Sequence, residues 1–156
     1  GYDISVIVLK TLEKHGYTSE EDTIFLQCFD AVETKRIRHE LGCQLRIVQL
    51  IGRNSWSESS SDYDQMVTPA GLAKIAEYAD GIGPSIGHIL DDESAEPNST
   101  GLVDHAHQAG LLVHPFTLRK DALPKYANSY DHLLELIVDA GVDGYFTDFP
   151  DLQSSK

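Results

Sequence analysis

Apolar runs of strand length alternate with segments of helical periodicity along almost the whole chain. The pattern is clearest at residues 101–117 and 130–149, where a helical segment ends at Gly110 or Gly141 and an apolar run follows. Glycine commonly closes helices, and helix-to-strand units of this kind build parallel sheets. We therefore predict an α/β fold, with the polar residues that follow each run at the carboxyl edge of the sheet, where such folds bind ligands.

The complete alternation predicts one helix, then four strand–helix units, then a last strand. The predicted strands are short apolar runs at residues 23–29, 45–52, 80–85, 111–117 and 142–149. The predicted helices show helical periodicity or start signals such as Thr68-Pro69, and they cover residues 4–16, 31–41, 68–79, 101–110 and 130–140. Polar loops are predicted at residues 53–67 and 91–98.

Two parallel architectures fit this alternation: an open doubly wound sheet and an arc of a (β/α) barrel. The long loops follow strands and the returns from helix to strand are short, an asymmetry typical of barrels. Residues 81–87 come nearest to a dinucleotide-binding G-x-G-x-x-G turn, but they contain a proline and open no predicted helix. The pattern favours part of a (β/α)8 TIM barrel.

Composition limits the number of domains and the kinds of partner. A chain of 156 residues with 41% hydrophobic content is predicted to form one domain, residues 1–156. Its net charge of −13 argues against binding to nucleic acid or an anionic membrane surface. No apolar run approaches the roughly 18 residues of a membrane helix, and the opening residues lack the signal-peptide pattern. Cys28 and Cys43 are predicted to be free thiols.

Four polar residues near predicted strand ends are candidates for chemistry. Gln27 is expected to be buried and needs either a ligand or a neighbouring loop as its partner. His114 could act as an acid, a base or a metal ligand, or it could be a satisfied core histidine. Arg119 near Phe116 could bind a small anion with an organic part, or it could pair with a local aspartate. Asp148 could be catalytic, or it could cap the loop that follows it.

These residues include no nucleophile beside a base, no paired carboxylates at strand ends and no metal cluster. The residues alone therefore predict a small-anion site on part of a barrel.

Several segments in order resemble the glycerophosphodiester phosphodiesterase family, nearest to its periplasmic and plant-type branch. They are IFLQCFDAVETKRI, LRIVQLIG, EYADGIGPS, VHPFTLR and GVDGYFTDFPD. The resemblance implies an eight-stranded (β/α) barrel of which these five strands are similar to the fourth through eighth. It also suggests a periplasmic or secreted location.

The family resemblance implies a metal-dependent hydrolase of lipid and glycerol metabolism, which splits glycerophosphodiesters into glycerol 3-phosphate and an alcohol. The implied cofactor is a divalent cation, calcium or magnesium, held in the family by an H-R-G motif on the first strand, E-x-D after the second and E-x-K on the third. The resemblance begins only at the helix before the fourth strand, and no H-R-G occurs in this sequence. We therefore expect no catalytic residue and no metal ligand in this chain, and no activity of the chain alone. Two alternatives are a non-catalytic binding module and a different enzyme that uses His114 and Asp148.

The resemblance implies that this chain contains the part of the barrel rim that contacts the substrate. The implied substrate-binding residues lie at the ends of the predicted strands: Gln27, Phe29, His114, Phe116, Arg119 and Asp148. Phe116 matches an aromatic that resembles a wall for the glycerol moiety. Five strands of eight would leave two open edges and an uncovered inner sheet face, so we also expect association with the missing part of the barrel or with a second copy.

Overall fold

The computed structural model describes residues 1–91 and 97–152. Four parallel strands form one sheet in the order β1-β2-β3-β4: Phe25–Cys28, Arg46–Ile51, Gly81–Pro84 and Leu112–Val113. The helices α1 to α6 are Ile4–Lys14, Ala31–His39, Tyr63–Met66, Pro69–Ile75, Leu102–Gln108 and Tyr130–Asp139. Short 3₁₀ turns lie at Asn54–Trp56, Ile86–His88 and Pro150–Leu152. The α/β prediction is confirmed; of the acidic loop predicted at 91–98, residues 92–96 lie outside the described residues.

Helices begin where the sequence offers a cap. The Asp30 carboxylate accepts hydrogen bonds from the amides of Val32 and Glu33, and the Thr68 hydroxyl accepts one from Gly71 with Pro69 at the first helical position. The predicted long loop at residues 53–67 is not wholly irregular, because it contains a 3₁₀ turn and α3. The order of elements is therefore fixed largely by local signals.

The predicted fifth strand runs beside β4 without forming a regular ladder. The amides of Asp143 and Phe146 donate to the carbonyls of Val113 and Pro115 at 3.0 and 2.9 Å, and Leu118 pairs with Thr147 in an isolated parallel bridge. Pro115 has no amide hydrogen and cannot donate a hydrogen bond to the neighbouring segment. The pairing between residues 142–149 and the segment that follows β4 is therefore interrupted at Pro115. The chain direction was predicted correctly, but the regular strand was not.

The inner face of the sheet, which points away from the helices, is covered. Val48 is 0% exposed and Leu50 is 8% exposed. The rings of Phe25 and His114 meet edge to face across this face, with centroids 4.8 Å apart, although their strands lie at opposite sides of the sheet. The expectation of an uncovered inner face is therefore wrong for the centre of the sheet, because the sheet curls until these rings pack over it, whereas Gln27 on the same face of edge strand β1 stays exposed.

The main core lies between the sheet and the helices. Its fully buried members include residues of strands β2 and β3 and of helices α4 and α6: Ile47, Ile51, Ile82, Leu72, Ile75 and Ile137. Helix α1 has no buried residue, and its Ile4 and Ile7 are 67% and 47% exposed. Both cysteines are free thiols, as predicted. Among the described residues, none of the helices has the length and apolar content required to cross a bilayer.

One carboxylate links the end of the chain to the sheet. Asp143 accepts hydrogen bonds from the Val113 amide at 2.8 Å and from His107 Nε2 at 2.9 Å. Burial alone would raise the pKa of Asp143, but these hydrogen bonds outweigh it and hold the pKa below its usual value. Because the folded state favours the charged form, this stabilisation is fully present only well above the usual pKa of 3.8 and is lost as pH falls through the lowered folded-state pKa.

We expect Asp143→Asn to lower the free energy of unfolding by about 1 kcal/mol at pH 6, and by less at pH 3. Urea unfolding at the two pH values measures this difference. The control is Glu135→Gln at an exposed position within α6, away from the helix ends, which should change neither value. An equal loss for Asp143→Asn at both pH values would contradict the assignment.

Candidate functional site

Aromatic side chains gather at the carboxyl ends of the strands. Phe29 follows β1 and contacts the rings of Tyr63 and Phe116 at centroid distances of 6.3 and 5.6 Å. The Trp56 ring lies on another side of Phe116, with centroids 6.5 Å apart. Each ring comes from a segment that follows a different strand or from α3, so the cluster exists only because the parallel strands end together.

A cleft of about 530 Å³ opens beside this cluster. Trp56 and Phe116 border it together with Ser85, and Leu133 and Pro124 line it from α6 and the segment that leads into α6. The volume is within the range of small-molecule sites. Predicted site residue Phe116 therefore lines a real cavity at the expected edge of the sheet.

Gln27 does not have the environment that the sequence predicted. It lies on edge strand β1 and is exposed, so the expectation of a buried amide is wrong for this residue. The described residues provide β1 with a neighbour on one side only, and this leaves the Gln27 side chain open to solvent.

The buried amide is instead Gln49, which the sequence reasoning missed. Gln49 Nε2 donates to the carbonyls of Cys28 and Phe29 at 3.2 and 3.0 Å, and its Oε1 accepts from the Tyr78 hydroxyl at 3.3 Å. Burial raises the pKa of Tyr78 to about 12, so this hydroxyl stays protonated and can donate. The sequence around the two glutamines does not distinguish them, because each interrupts an apolar run of strand length. Gln49 fixes the end of β1, from which Phe29 extends into the cluster.

His114 lies on the inner face of the sheet, away from the cleft. Its ring packs against Phe25 and against Phe146, at centroid distances of 4.8 and 6.3 Å. Burial lowers the pKa of His114, and the nearby charge of Asp143 offsets this only in part. The neutral His114 ring therefore packs inside the curve of the sheet. This arrangement favours the alternative that His114 is a satisfied core histidine rather than an acid, a base or a metal ligand.

Arg119 and Asp148 meet at the rim. Arg119 donates from Nε and one terminal nitrogen to both oxygens of Asp121, at 3.0 and 2.7 Å, and from the other terminal nitrogen to Asp148 at 2.6 Å. Hydrogen bonds to Asp121 are the main reason that the pKa of Arg119 is raised. Both predicted residues are thus brought together, but the guanidinium already has carboxylate partners. An incoming anion would have to displace them.

Because both side chains of this pair are about half exposed, we expect Asp148→Ala to change stability by less than about 1 kcal/mol. Thermal unfolding in low salt measures the change, and Asp151→Ala on the following turn serves as the control. A loss of several kcal/mol would show that Asp148 supports more than this exposed ion pair.

Metal ligands are not brought together in the described part of the chain. Across residues 1–91 and 97–152, no three His, Cys, Asp or Glu side chains lie close enough to hold an ion. These residues therefore do not fit a calcium or magnesium site.

Comparison with known proteins gives one consistent result. A sequence model of the glycerophosphoryl diester phosphodiesterase family matches residues 2–152. A glycerophosphodiester phosphodiesterase of Haemophilus influenzae is 37% identical over 97% of this chain and 46% of its own length. One from Treponema pallidum is 32% identical over 97% of this chain and 48% of its own length. The chain spans about half the length of these curated relatives.

A solved structure from Silicibacter pomeroyi, described as a candidate glycerophosphoryl diester phosphodiesterase, superposes with a TM-score of 0.65 at 20% identity. The superposition covers 94% of this chain and 41% of that one. A similar candidate from Agrobacterium tumefaciens gives a TM-score of 0.60 at 21% identity and covers 97% and 49% of the two chains. At this identity the likeness shows the fold, and the four-stranded parallel sheet is part of a TIM barrel.

Proposed function

Because this chain belongs to the glycerophosphoryl diester phosphodiesterase family, we propose that it is the carboxyl-terminal part of an enzyme that hydrolyses glycerophosphodiesters to glycerol 3-phosphate and an alcohol. The observation that carries the proposal is the match to two relatives named glycerophosphodiester phosphodiesterase, each over 97% of the chain. The aromatic cluster beside a cleft at the strand ends supports it, because active sites of barrels lie at this edge.

In this proposal the chain provides substrate-side contacts. Phe29 and Phe116 form an aromatic wall against which the carbon skeleton of a glycerol unit packs. Gln27 offers an exposed amide on edge strand β1, on the same face of the sheet as Phe25. Arg119 and Asp148 hold each other at the rim and position the loop that follows β4.

The catalytic groups and the divalent cation, calcium or magnesium, are proposed to be held by segments outside this chain. The described residues do not fit such an ion, as shown above. In this proposal the chain itself binds and orients the diester. Correct placement of the phosphate contributes to catalysis.

The test is a chimera in which this chain replaces the matching region of the Haemophilus influenzae relative. Purified chimera should release glycerol 3-phosphate from glycerophosphocholine above the level of an otherwise identical chimera with scrambled residues 101–152. A chimera that folds, as judged by circular dichroism and a cooperative melt, yet hydrolyses no glycerophosphodiester would refute the proposal. That result would favour the alternative of a non-catalytic binding module.

A further inference from the structure

Ser85 is a buried hydroxyl without a partner at the end of β3. It is 6% exposed, and among the described residues its Oγ has no hydrogen-bond partner. Its backbone is firmly held, because its amide donates to the Ile51 carbonyl at 3.0 Å and it pairs with Phe116 in a parallel bridge. An unsatisfied buried hydroxyl destabilises the folded chain, so a ligand that bonds to Ser85 gains more than it would at an exposed serine.

The free hydroxyl lines the cleft beside the aromatic cluster. Trp56 and Phe116 supply flat apolar walls, tilted by 56° to each other, and Thr117 is among the other hydroxyl-bearing residues that line the cleft. Aromatic faces pack against the C–H face of a carbon chain, while serine and threonine hydroxyls both donate and accept. This combination matches a small molecule that carries several hydroxyl groups on a short carbon skeleton.

The side chains that line the cleft offer no counterion to an ammonium headgroup. Although the chain has a net charge of −13, no carboxylate is among the described residues that line this cleft. The carboxylates of Asp64 and Asp91 line an adjoining cleft of about 500 Å³, which shares Arg53 and Ser55 with this one. A cation would lose its hydration in this cleft without gaining a carboxylate partner, whereas a neutral polyol can bond to the Ser85 hydroxyl.

We propose that the cleft between Trp56, Phe116 and Ser85 binds the alcohol end of the diester and prefers a neutral polyol, such as a glycerol or inositol headgroup, over choline or ethanolamine. Ser85 is the specificity-determining residue in this site, because its hydroxyl has no other partner. The assignment to the alcohol end rests on the proposed function, whereas the polyol preference of the cleft does not.

Trp56 provides the test, since it is the single tryptophan of the chain and borders the cleft. The purified full chain is titrated with glycerol, myo-inositol, choline and ethanolamine while its tryptophan fluorescence is recorded. We expect saturable changes with the two polyols and weaker or no saturation with the two cations. Ser85→Ala should weaken polyol binding about fivefold to tenfold, which corresponds to one hydrogen bond to a buried group.

Two further variants make the result interpretable. Ser60→Ala changes an exposed serine that does not line the cleft, and it should bind polyols with unchanged affinity. Thr117→Val keeps the shape of the side chain and removes its hydroxyl, so it carries the test if Ser85→Ala does not fold. The proposal is overturned if the polyols do not saturate, if the cations bind more tightly, or if both hydroxyl deletions leave the affinity unchanged.

The proposed function and the proposed polyol site can be refuted independently of each other. If the chimera hydrolyses no diester while Ser85-dependent polyol binding persists, the enzymatic proposal fails and the binding site stands. If the chimera is active but the ratio of kcat/KM for glycerophosphoinositol to that for glycerophosphocholine is the same with Ser85 and with Ser85→Ala, the specificity role of Ser85 fails.

Discussion

The isolated chain is expected to hydrolyse glycerophosphocholine no faster than buffer, and addition of the amino-terminal part of the barrel is expected to raise the rate at least about 1,000-fold. General acid–base groups alone contribute rate factors of roughly 10² to 10⁴. No three His, Cys, Asp or Glu side chains of the described residues could hold an ion, and the His107–Asp143 pair does not line the cleft. We therefore propose that the catalytic groups lie on another polypeptide segment.

The surface that would receive this segment is visible in the fold. Within the described residues β1 is paired only with β2, so its other edge presents unpaired amides and carbonyls. A segment that pairs with this edge would extend the sheet. Helix α1, which bonds to α2 through Ser5 and Glu33, exposes Ile4 and Ile7, and this apolar face is a second surface that a further barrel element would cover.

The experiment co-expresses this chain with the region of the Haemophilus influenzae relative that precedes the matched part. Glycerol 3-phosphate release is measured with calcium, with magnesium and with chelator, and light scattering gives the mass of each species. The chain alone should self-associate, and the mixture should form a 1:1 complex with metal-dependent activity. Metal-dependent turnover by the chain alone would contradict the placement of the chemistry outside it.

Local signals in the sequence were sufficient for most of the fold. Helix starts at Asp30 and Thr68 depend on contacts within a few residues, so the sequence predicts them directly. The curled inner face could not be predicted in the same way, because the contact between Phe25 and His114 joins residues far apart in sequence. Pro115 indicates locally that the pairing of the last strand is interrupted. The apolar pattern of residues 142–149 nevertheless predicts a regular strand, which the structure does not contain.

The candidate site was harder to predict than the fold because its residues are specified by neighbours rather than by periodicity. Gln27 and Gln49 both interrupt apolar strands, and only the sheet order shows that the strand of Gln27 is an edge and the strand of Gln49 is not. Ser85 carries no sequence signal, since a serine after a strand is usually a cap or a turn residue. Its significance comes from the walls that Trp56 and Phe116 place around it.

In the active chimera, Phe116→Ala is expected to raise KM about tenfold to a hundredfold and to change kcat by less than about threefold. The Phe116 ring contacts Phe29 on one side and Trp56 on another, so its removal opens the aromatic wall without touching the catalytic groups proposed to lie outside this chain. A wall of this kind binds substrate and transition state equally, and loss of uniform binding appears in KM.

A matched control separates binding from stability. Phe25→Ala removes a ring of the same size from the inner face, where it packs on His114 and does not line the cleft. It should lower the melting temperature as much as Phe116→Ala does, or more, and leave KM unchanged. If Phe116→Ala instead lowers kcat more than tenfold at constant KM, the ring acts on the transition state, and the aromatic cluster belongs to the catalytic machinery rather than to substrate binding.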